Sequence, residues 1–295
     1  MNLFTISQLS KFSGIKSHTI RMWEQRYNAL KPERSEGNTR YYDNEQLRRL
    51  LNIVSMMETT HKVSELCSMP DEKLSGLVLN TKKHIKVKTN EYYVSQLISA
   101  GMSYNSEYFE ELFGKCISQY GIPQAYKVII YPLLERVGLM WAGNTLPSAQ
   151  EHFMSNLIRQ KILRSIDSLS KNIRSSDKWL LYLPENEYHE IGLLFASYVI
   201  RESGRNVVYL GNSLTSESLY NAIEDTNPSH ILIFMIHYDS PEKIQEYMNN
   251  LNKRFSGENI CVAGNYKLLG QLDYPKKIRW LKSMEDLEEM VSKNL

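Results

Sequence analysis

Chemistry is most concentrated in a loop of nine residues, Pro184-Glu185-Asn186-Glu187-Tyr188-His189-Glu190-Ile191-Gly192. Its Glu187-x-His189-x-x-Gly192 spacing sets a carboxylate two residues before an imidazole. A neutral imidazole ligates transition metals, and an adjacent carboxylate can fix its tautomer and raise its basicity. Gly192 would let the backbone pass close to a bulky ligand. A lone histidine in such a loop is also a common surface residue or helix cap. A second group is Trp141, followed after nine residues by Glu151-His152. On facing helix ends these three would line the lip of a pocket; the plain alternative is a packed indole beside a solvated Glu-His pair. The third group is Thr19–Tyr42, TIRMWEQRYNALKPERSEGNTRYY. It combines an arginine-bearing helix, a proline break and a Gly37-Asn38 turn flanked by Arg34 and Arg40. That order suits a helix for the major groove and a basic hairpin for phosphates.

The charge distribution fits the third group. The whole chain of 295 residues has a net charge of only +2, so no global field draws it to nucleic acid. Residues 11–49 hold nine basic side chains against five acidic ones, a local excess of four. A basic footprint confined to one segment is the electrostatic mark of a small DNA reader. With 42% hydrophobic and 23% charged residues, the composition is that of a globular protein with two or three domains, not a disordered one. Cys67, Cys116 and Cys261 fall in no metal or redox spacing, which predicts reduced thiols. The N-terminus has no signal pattern, and the longest strongly apolar run, Ile231–Ile236, is too short to span a bilayer. A cytoplasmic protein with no membrane partner is expected.

The elements that must position these residues follow from periodicity. Thr5 and Gln8 form a capping box, Ile6, Leu9 and Phe12 give the first helix a buried side, and Gly14 stops it. Ser17 is the expected cap of a second helix, on which Ile20, Trp23 and Tyr27 face inward while Arg21 and Arg26 face out. Pro32 ends that helix, and Arg34 to Tyr42 reads as a two-stranded wing. Asp43 with Gln46 starts a helix striped by Leu47, Leu50, Leu51, Val54 and Met57. Residues 71–85 read as a polar connection and a hinge. Helical patterns follow at about 88–103, 106–120 and 122–143, with Pro132 predicting a kink or a fresh first turn. A fourth begins at Pro147-Ser148, its face marked by Phe153, Met154, Leu157, Ile158, Ile162, Leu163 and Ile166. Short joins make these a four-helix bundle.

From Lys178 the period changes. Apolar runs at Trp179–Leu183, Val207–Leu210, Ile231–Ile236, Ile260–Ala263 and Ile278–Leu281 alternate with helices at about 190–203, 215–225, 240–254 and 266–271. A last helix is expected at 283–293. Five strands alternating with helices imply a doubly wound parallel sheet of flavodoxin-like order. The Glu187-His189 loop then leaves the first strand at the edge where such sheets bind ligands. The fold class is therefore multidomain, α plus α/β: a winged helix-turn-helix at 1–75, a four-helix bundle at 76–175 and the sheet at 176–295.

Thr19-Ile20-Arg21-x-Trp23-Glu24-x-Arg26-Tyr27, then Pro32-x-Arg34 and Gly37-x-x-Arg40-Tyr41-Tyr42, resembles the MerR winged helix-turn-helix over roughly residues 3–70. It is most similar to the CarH- and LitR-like branch of light- and cobalamin-responsive repressors. The resemblance implies that Arg21, Tyr27, Arg40 and Tyr41 lie at or near DNA. Lys16, His18, Thr19, Arg26 and Arg34 complete the candidate DNA-binding set. Thr59-Thr60-His61 departs from the glycine turn of many relatives, so the fourth helix is expected to start differently. MerR relatives bind near-palindromic operators as dimers, and no sustained heptad follows Met69. The C-terminal half is therefore expected to join the copies, as a dimer or tetramer.

The W-x9-E-H spacing, preceded by Pro132-Leu133-Leu134-Glu135-Arg136-Val137-Gly138, resembles the helical cap of CarH-like sensors and of cobalamin-binding methionine synthases. It implies that Trp141, Glu151 and His152 face a corrin. Ala142 stands where light-sensing relatives carry a cobalt-capturing histidine. Glu187-x-His189-x-x-Gly192 resembles the D-x-H-x-x-G signature of cobalamin-binding domains with Glu for Asp. By that resemblance His189 is the lower metal ligand, Glu187 its partner, and Gly192 and Gly264 belong to the cofactor site. The cofactor implied is cobalamin, as adenosylcobalamin or methylcobalamin. Two departures fall where the nucleotide tail should thread: Ile233-Phe234-Met235-Ile236 has no serine, and Gly264-Asn265 has one glycine instead of two.

These readings converge on a DNA-binding transcriptional regulator, a repressor by resemblance and not an enzyme. Its cobalamin-binding-like half would control oligomerisation and operator binding. The alternative is the same regulator with a cofactor-free sensor half governed by a regulatory protein. A corrinoid-dependent enzyme or methyl carrier is the remote alternative.

Overall fold

The computed structural model describes residues 3–57, 59–84, 89–143, 146–170, 173–237, 240–255, 259–275 and 277–292. It divides into two units, Met1–Leu157 and Ile158–Leu295. The first begins with α1 (Ile6–Ser13), α2 (Ser17–Tyr27), β1 (Glu33–Arg34), β2 (Arg40–Tyr41), α3 (Asn44–Met56) and α4 (Val63–Ser68). The Thr5–Gln8 capping box is present, and Gly14 closes α1 at φ 74°. Ser17 is not the cap of α2. That position belongs to Lys16, which makes no side-chain cap bond, while the Ser17 hydroxyl donates to the Ile6 carbonyl at 3.5 Å. Asp43 caps α3 through the Gln46 amide at 2.8 Å. The fourth helix starts at Val63, past Thr59-Thr60-His61.

The stretch read as a hinge is instead a helix, α5 (Asp71–His84), with Leu74 and Val78 buried. The bundle follows in α6 (Asn90–Met102), α7 (Ser106–Ala125), a π-helical segment Tyr126–Ile130, α8 (Tyr131–Ala142) and α9 (Ser148–Asp167), which crosses the boundary between the units. Gly121, at φ 72°, ψ 167°, separates the helices read at 106–120 and 122–143, and Pro123 starts the second, where its missing N–H costs nothing. The π-helical segment lies inside that second helix. Pro132 likewise sits in the first turn of α8. On α9 Met154, Leu157, Ile158 and Ile162 are buried, but Leu163 is exposed.

The reading head and the bundle helices α6 to α8 lie in one unit, and α3 shows why. Leu47, Leu50, Leu51 and Val54 are buried as expected, Met57 is instead the half-buried C-cap, and Asn52 and Ser55 on the other side are buried too. The Gln96 amide on α6 donates to Asn52 Oδ1 and Ser55 Oγ at 3.1 Å each, and its oxygen accepts from the Tyr108 hydroxyl at 3.2 Å. Arg136 on α8 grips Glu91 on α6 through two bonds of 2.7 and 2.8 Å. A Cβ on Gly14 would stand 3.0 Å from that guanidinium. These satisfied buried polar contacts specify one arrangement of head on bundle.

The second unit holds β3 (Lys178–Pro184), α10 (Ile191–Glu202), β4 (Asn206–Leu214), α11 (Ser216–Thr226), β5 (His230–Met235), α12 (Pro241–Arg254), β6 (Asn259–Gly264), α13 (Tyr266–Leu269), β7 (Ile278–Trp280) and α14 (Met284–Ser292). The strands pair in the order β4-β3-β5-β6-β7, all parallel. This is the doubly wound order expected, with β3 at the switch point. Leu180, Tyr182, Ile231, Ile233 and Met235 pack with Leu219, Ile223, Ile244 and Met248 in the core on one face. Central strands buried on both faces explain the near-continuous apolar runs.

Candidate DNA interface and metal-ligating loop

In the reading head, Ile20 and Trp23 anchor α2 in the core. That rotation leaves His18, Arg21, Met22, Gln25 and Arg26 exposed, with Thr19 and Tyr27 half-buried. Lys16 is exposed at the start of the helix. Met22 and Gln25 were not among the expected contacts. They share the outward stripe with His18 and Arg21, a relation legible as i, i+3, i+4, i+7.

The wing is antiparallel, with Glu33 opposite Tyr41 and Arg34 opposite Arg40. Its turn closes by the Ser35 amide on the Thr39 carbonyl at 3.0 Å, with Asn38 at φ 60°. Exposed Arg34 donates to the Asn38 side chain, and Tyr41 is half-buried. Arg40 is tied inward, its Nε 3.2 Å from Glu24 Oε2. Glu24 also accepts from the buried Tyr42 hydroxyl. Burial and that carboxylate both push the Tyr42 phenol well above its ordinary range. Glu24 on α2 therefore fixes the wing against the reading helix, a role that sequence reasoning did not assign. Phe4 exchanges two backbone bonds with Tyr42, 2.7 and 2.9 Å, adding a bridge beside the wing.

In the bundle, the Trp141 indole at the end of α8 is 51% exposed, which rules out the packed reading of that side chain. His152 is exposed, and its Nδ1 lies 3.5 Å from Glu151 Oε2.

In the sheet unit, the loop after β3 is pinned at both ends. The Asn186 amide donates to Ser213 Oγ at 3.2 Å, and the Ser213 amide to the Glu187 carbonyl at 3.1 Å. Glu187 is buried while the His189 side chain is 58% exposed. Glu187 Oε1 lies 2.6 Å from His189 Nδ1 and also accepts from the His189 amide at 3.0 Å. Its second oxygen accepts from the amides of Ile236 and His237, 2.8 and 2.7 Å, just past β5. Burial alone would raise this carboxyl, but the His189 ring and the amides of His237, His189 and Ile236 outweigh it and hold the pKa at about 2. An ionised Glu187 makes Nδ1 the protonated nitrogen, so Nε2 is the one that would ligate a metal.

Next to it, Glu190 accepts from Arg159 and from the Tyr209 hydroxyl at 3.1 Å. Among the described residues no cluster of three or more His, Cys, Asp or Glu could hold a bare ion.

The glycines expected to open the floor beneath this loop are covered. The Phe234 ring lies on Gly192, where an added Cβ would be 2.6 Å from it. At Gly264, φ 137°, a Cβ would meet the Met235 carbonyl oxygen at 2.0 Å, so this glycine serves the close approach of β5 and β6. Asn265 stitches the same gap through its amide on Met235 O at 2.8 Å and its side-chain Nδ2 on Ile236 O at 3.2 Å.

Comparison with known proteins finds a family match for the reading head and another for the helical bundle. Residues 4–66 match the model of the MerR HTH family regulatory protein, and residues 89–164 match that of a B12 binding domain. The chain is 23% identical over 271 residues to the HTH-type transcriptional repressor CarH of Myxococcus xanthus, covering 88% of each chain. It is 24% identical over 291 residues to the repressor CarA of the same organism, covering 97% of this chain and 94% of the relative. Its fold is similar to that of the Methanosarcina barkeri monomethylamine corrinoid protein. There the TM-score is 0.56 at 13% identity, with 70% of this chain and all of the other covered. No helix among the described residues is long and apolar enough to cross a membrane.

Proposed function

We propose that this chain, a MerR-type DNA-binding regulator homologous to the CarH and CarA repressors, represses transcription by coupling operator binding to a corrinoid held at His189. The supporting observation is the Glu187-His189 pair: an ionised buried carboxylate sets the tautomer and leaves Nε2 as the ligating nitrogen. A corrin would supply a cobalt centre, and His189 Nε2 would hold it, with Glu187 fixing the imidazole. Adenosylcobalamin and methylcobalamin are the forms proposed. Trp141, Glu151 and His152 give the bundle an exposed ligand-facing end.

On DNA, His18, Thr19, Arg21, Arg26 and Tyr27 present α2 to the major groove, with Lys16 at its start. Arg34 and Tyr41 carry the wing to the backbone, while Arg40 holds the wing on α2 through Glu24. One module reads too few base pairs to be selective, so two copies act on a near-palindromic site as a dimer or tetramer. A ligand controls this assembly only through a difference in affinity between assembled and free states.

The test incubates the protein with adenosylcobalamin in the dark, removes free ligand and records the visible spectrum. Operator binding and oligomeric mass are measured beside it. A retained corrin band that shifts or disappears in His189→Ala supports the sensor. Arg21→Ala is expected to lower operator affinity about 5- to 150-fold, a loss of roughly 1–3 kcal/mol, whatever the cofactor state. Normal binding by that variant would remove α2 from the interface. The Phe234 ring over Gly192 favours a second reading, a cofactor-free sensor half controlled by a regulatory protein. It predicts a colourless protein that still binds DNA.

A further inference from the structure

We infer that the sheet unit favours a corrinoid without its nucleotide tail over cobalamin itself, and that Phe234 sets this preference. The inference rests on the corrinoid reading of His189.

A cobalamin carries its own axial base on a nucleotide tail. If His189 Nε2 takes the lower position on cobalt, that base must leave the metal, and its tail must pass below the corrin toward the sheet or out to solvent. Between the start of α10 and the ends of β5 and β6 this chain is closed in three places. The side chain of Phe234 belongs to the face of β5 opposite Ile231, Ile233 and Met235, the face that α10 covers, and its ring rests on Gly192. The ends of β5 and β6 approach until no Cβ fits at Gly264. Asn265 spans the remaining gap, bonded to Met235 O and Ile236 O and capping α13 through the Lys267 and Leu268 amides. Glu187 occupies the amides of Ile236 and His237, so those donors are not available to a tail either.

Only one of these closures is a side chain that a substitution can remove without opening backbone. Asn265 and Gly264 are tied to main-chain atoms, whereas the Phe234 ring is half-buried and packs by contact alone. Cobinamide, the corrin without its nucleotide, offers cobalt with an exchangeable lower water. His189 Nε2 would hold its cobalt, and no tail would need a place.

The experiment titrates the full-length protein with diaquocobinamide and, separately, with hydroxocobalamin, following the visible spectrum. Wild type is expected to bind cobinamide at least tenfold more tightly than hydroxocobalamin. The accompanying shift to nitrogen-ligated cobalt should be absent in His189→Ala. Phe234→Ala should narrow the ratio by strengthening hydroxocobalamin binding, with cobinamide binding little changed. Equal or tighter binding of hydroxocobalamin by wild type would overturn the inference while leaving the corrinoid reading intact. Failure of wild type to bind either corrinoid would overturn both. The wild-type ratio needs no variant, so it decides the preference itself even if Phe234→Ala does not fold, and an unchanged ratio in a folded Phe234→Ala would overturn the role given to Phe234.

Discussion

The reading head and the sheet loop each display a charged or ligating side chain on a short element, but they hold it in different ways. In the head, Arg21 and Arg34 stand on the solvent side of α2 and β1, and the helix rotation that exposes Arg21 is set by Ile20 and Trp23 nearby in sequence. In the sheet, His189 is held by Glu187, whose second oxygen is anchored on amides 49 and 50 residues away. Backbone also meets backbone there, at Gly264 and Met235. The difference is one of tolerance. The head should accept local change and lose only contacts to DNA, whereas the sheet loop should transmit a single change to the whole edge.

The largest expected effect follows from that contrast. Gly264→Ala places a Cβ against the Met235 carbonyl at a positive φ. It should destabilise the sheet unit by roughly 4 kcal/mol or more, the range of severe backbone lesions, as read by denaturant unfolding. Gly37→Ala in the wing meets only Ser35 Oγ at 3.8 Å and should change stability by less than about 0.5 kcal/mol. Equal effects at the two glycines would end the comparison.

Glu187 gives the next effect. Its pKa in the folded protein, about 2, lies below the ordinary value of 4.5. Its contribution is therefore complete above about pH 4.5 and is lost as pH falls toward 2. A shift of this size corresponds to roughly 3 kcal/mol. Glu187→Gln should remove most of that amount at pH 7 and flatten the acid limb of the stability curve between those values. An unchanged acid limb would mean that the carboxylate does not organise the loop.

The smallest effect belongs to the wing. Arg34→Ala should weaken binding by similar factors on all DNA sequences and reduce the slope of log K against log salt by about 1. A change in sequence preference would instead put Arg34 at a base edge.

Much of this was legible because it is local. The capping box at Thr5, the Gly14 stop, the wing turn and the stripe on α3 depend on residues within one or two turns, and all appear in the structure. The five strands and their order were legible because buried parallel strands leave apolar runs that helices separate. What escaped was long-range. Residues 71–85 looked like a hinge because α5 is only weakly amphipathic, and its burial of Leu74 and Val78 depends on other elements. Asn52 and Ser55 looked like the solvent side of α3 until Gln96 of α6 covered them. Glu24 looked like one more surface charge, but the fold of the wing brings Arg40 and Tyr42 onto it.

The sequence by itself determined which side chains are candidates for reading DNA and for ligating a metal, since their types and short spacings need no partner to be recognised. Tertiary structure alone decided that Glu187 is ionised, that Phe234 covers Gly192 and that the head is seated on the bundle. Each of those depends on groups many residues apart, and only the folded chain supplies the burial and hydrogen bonds that set their energies.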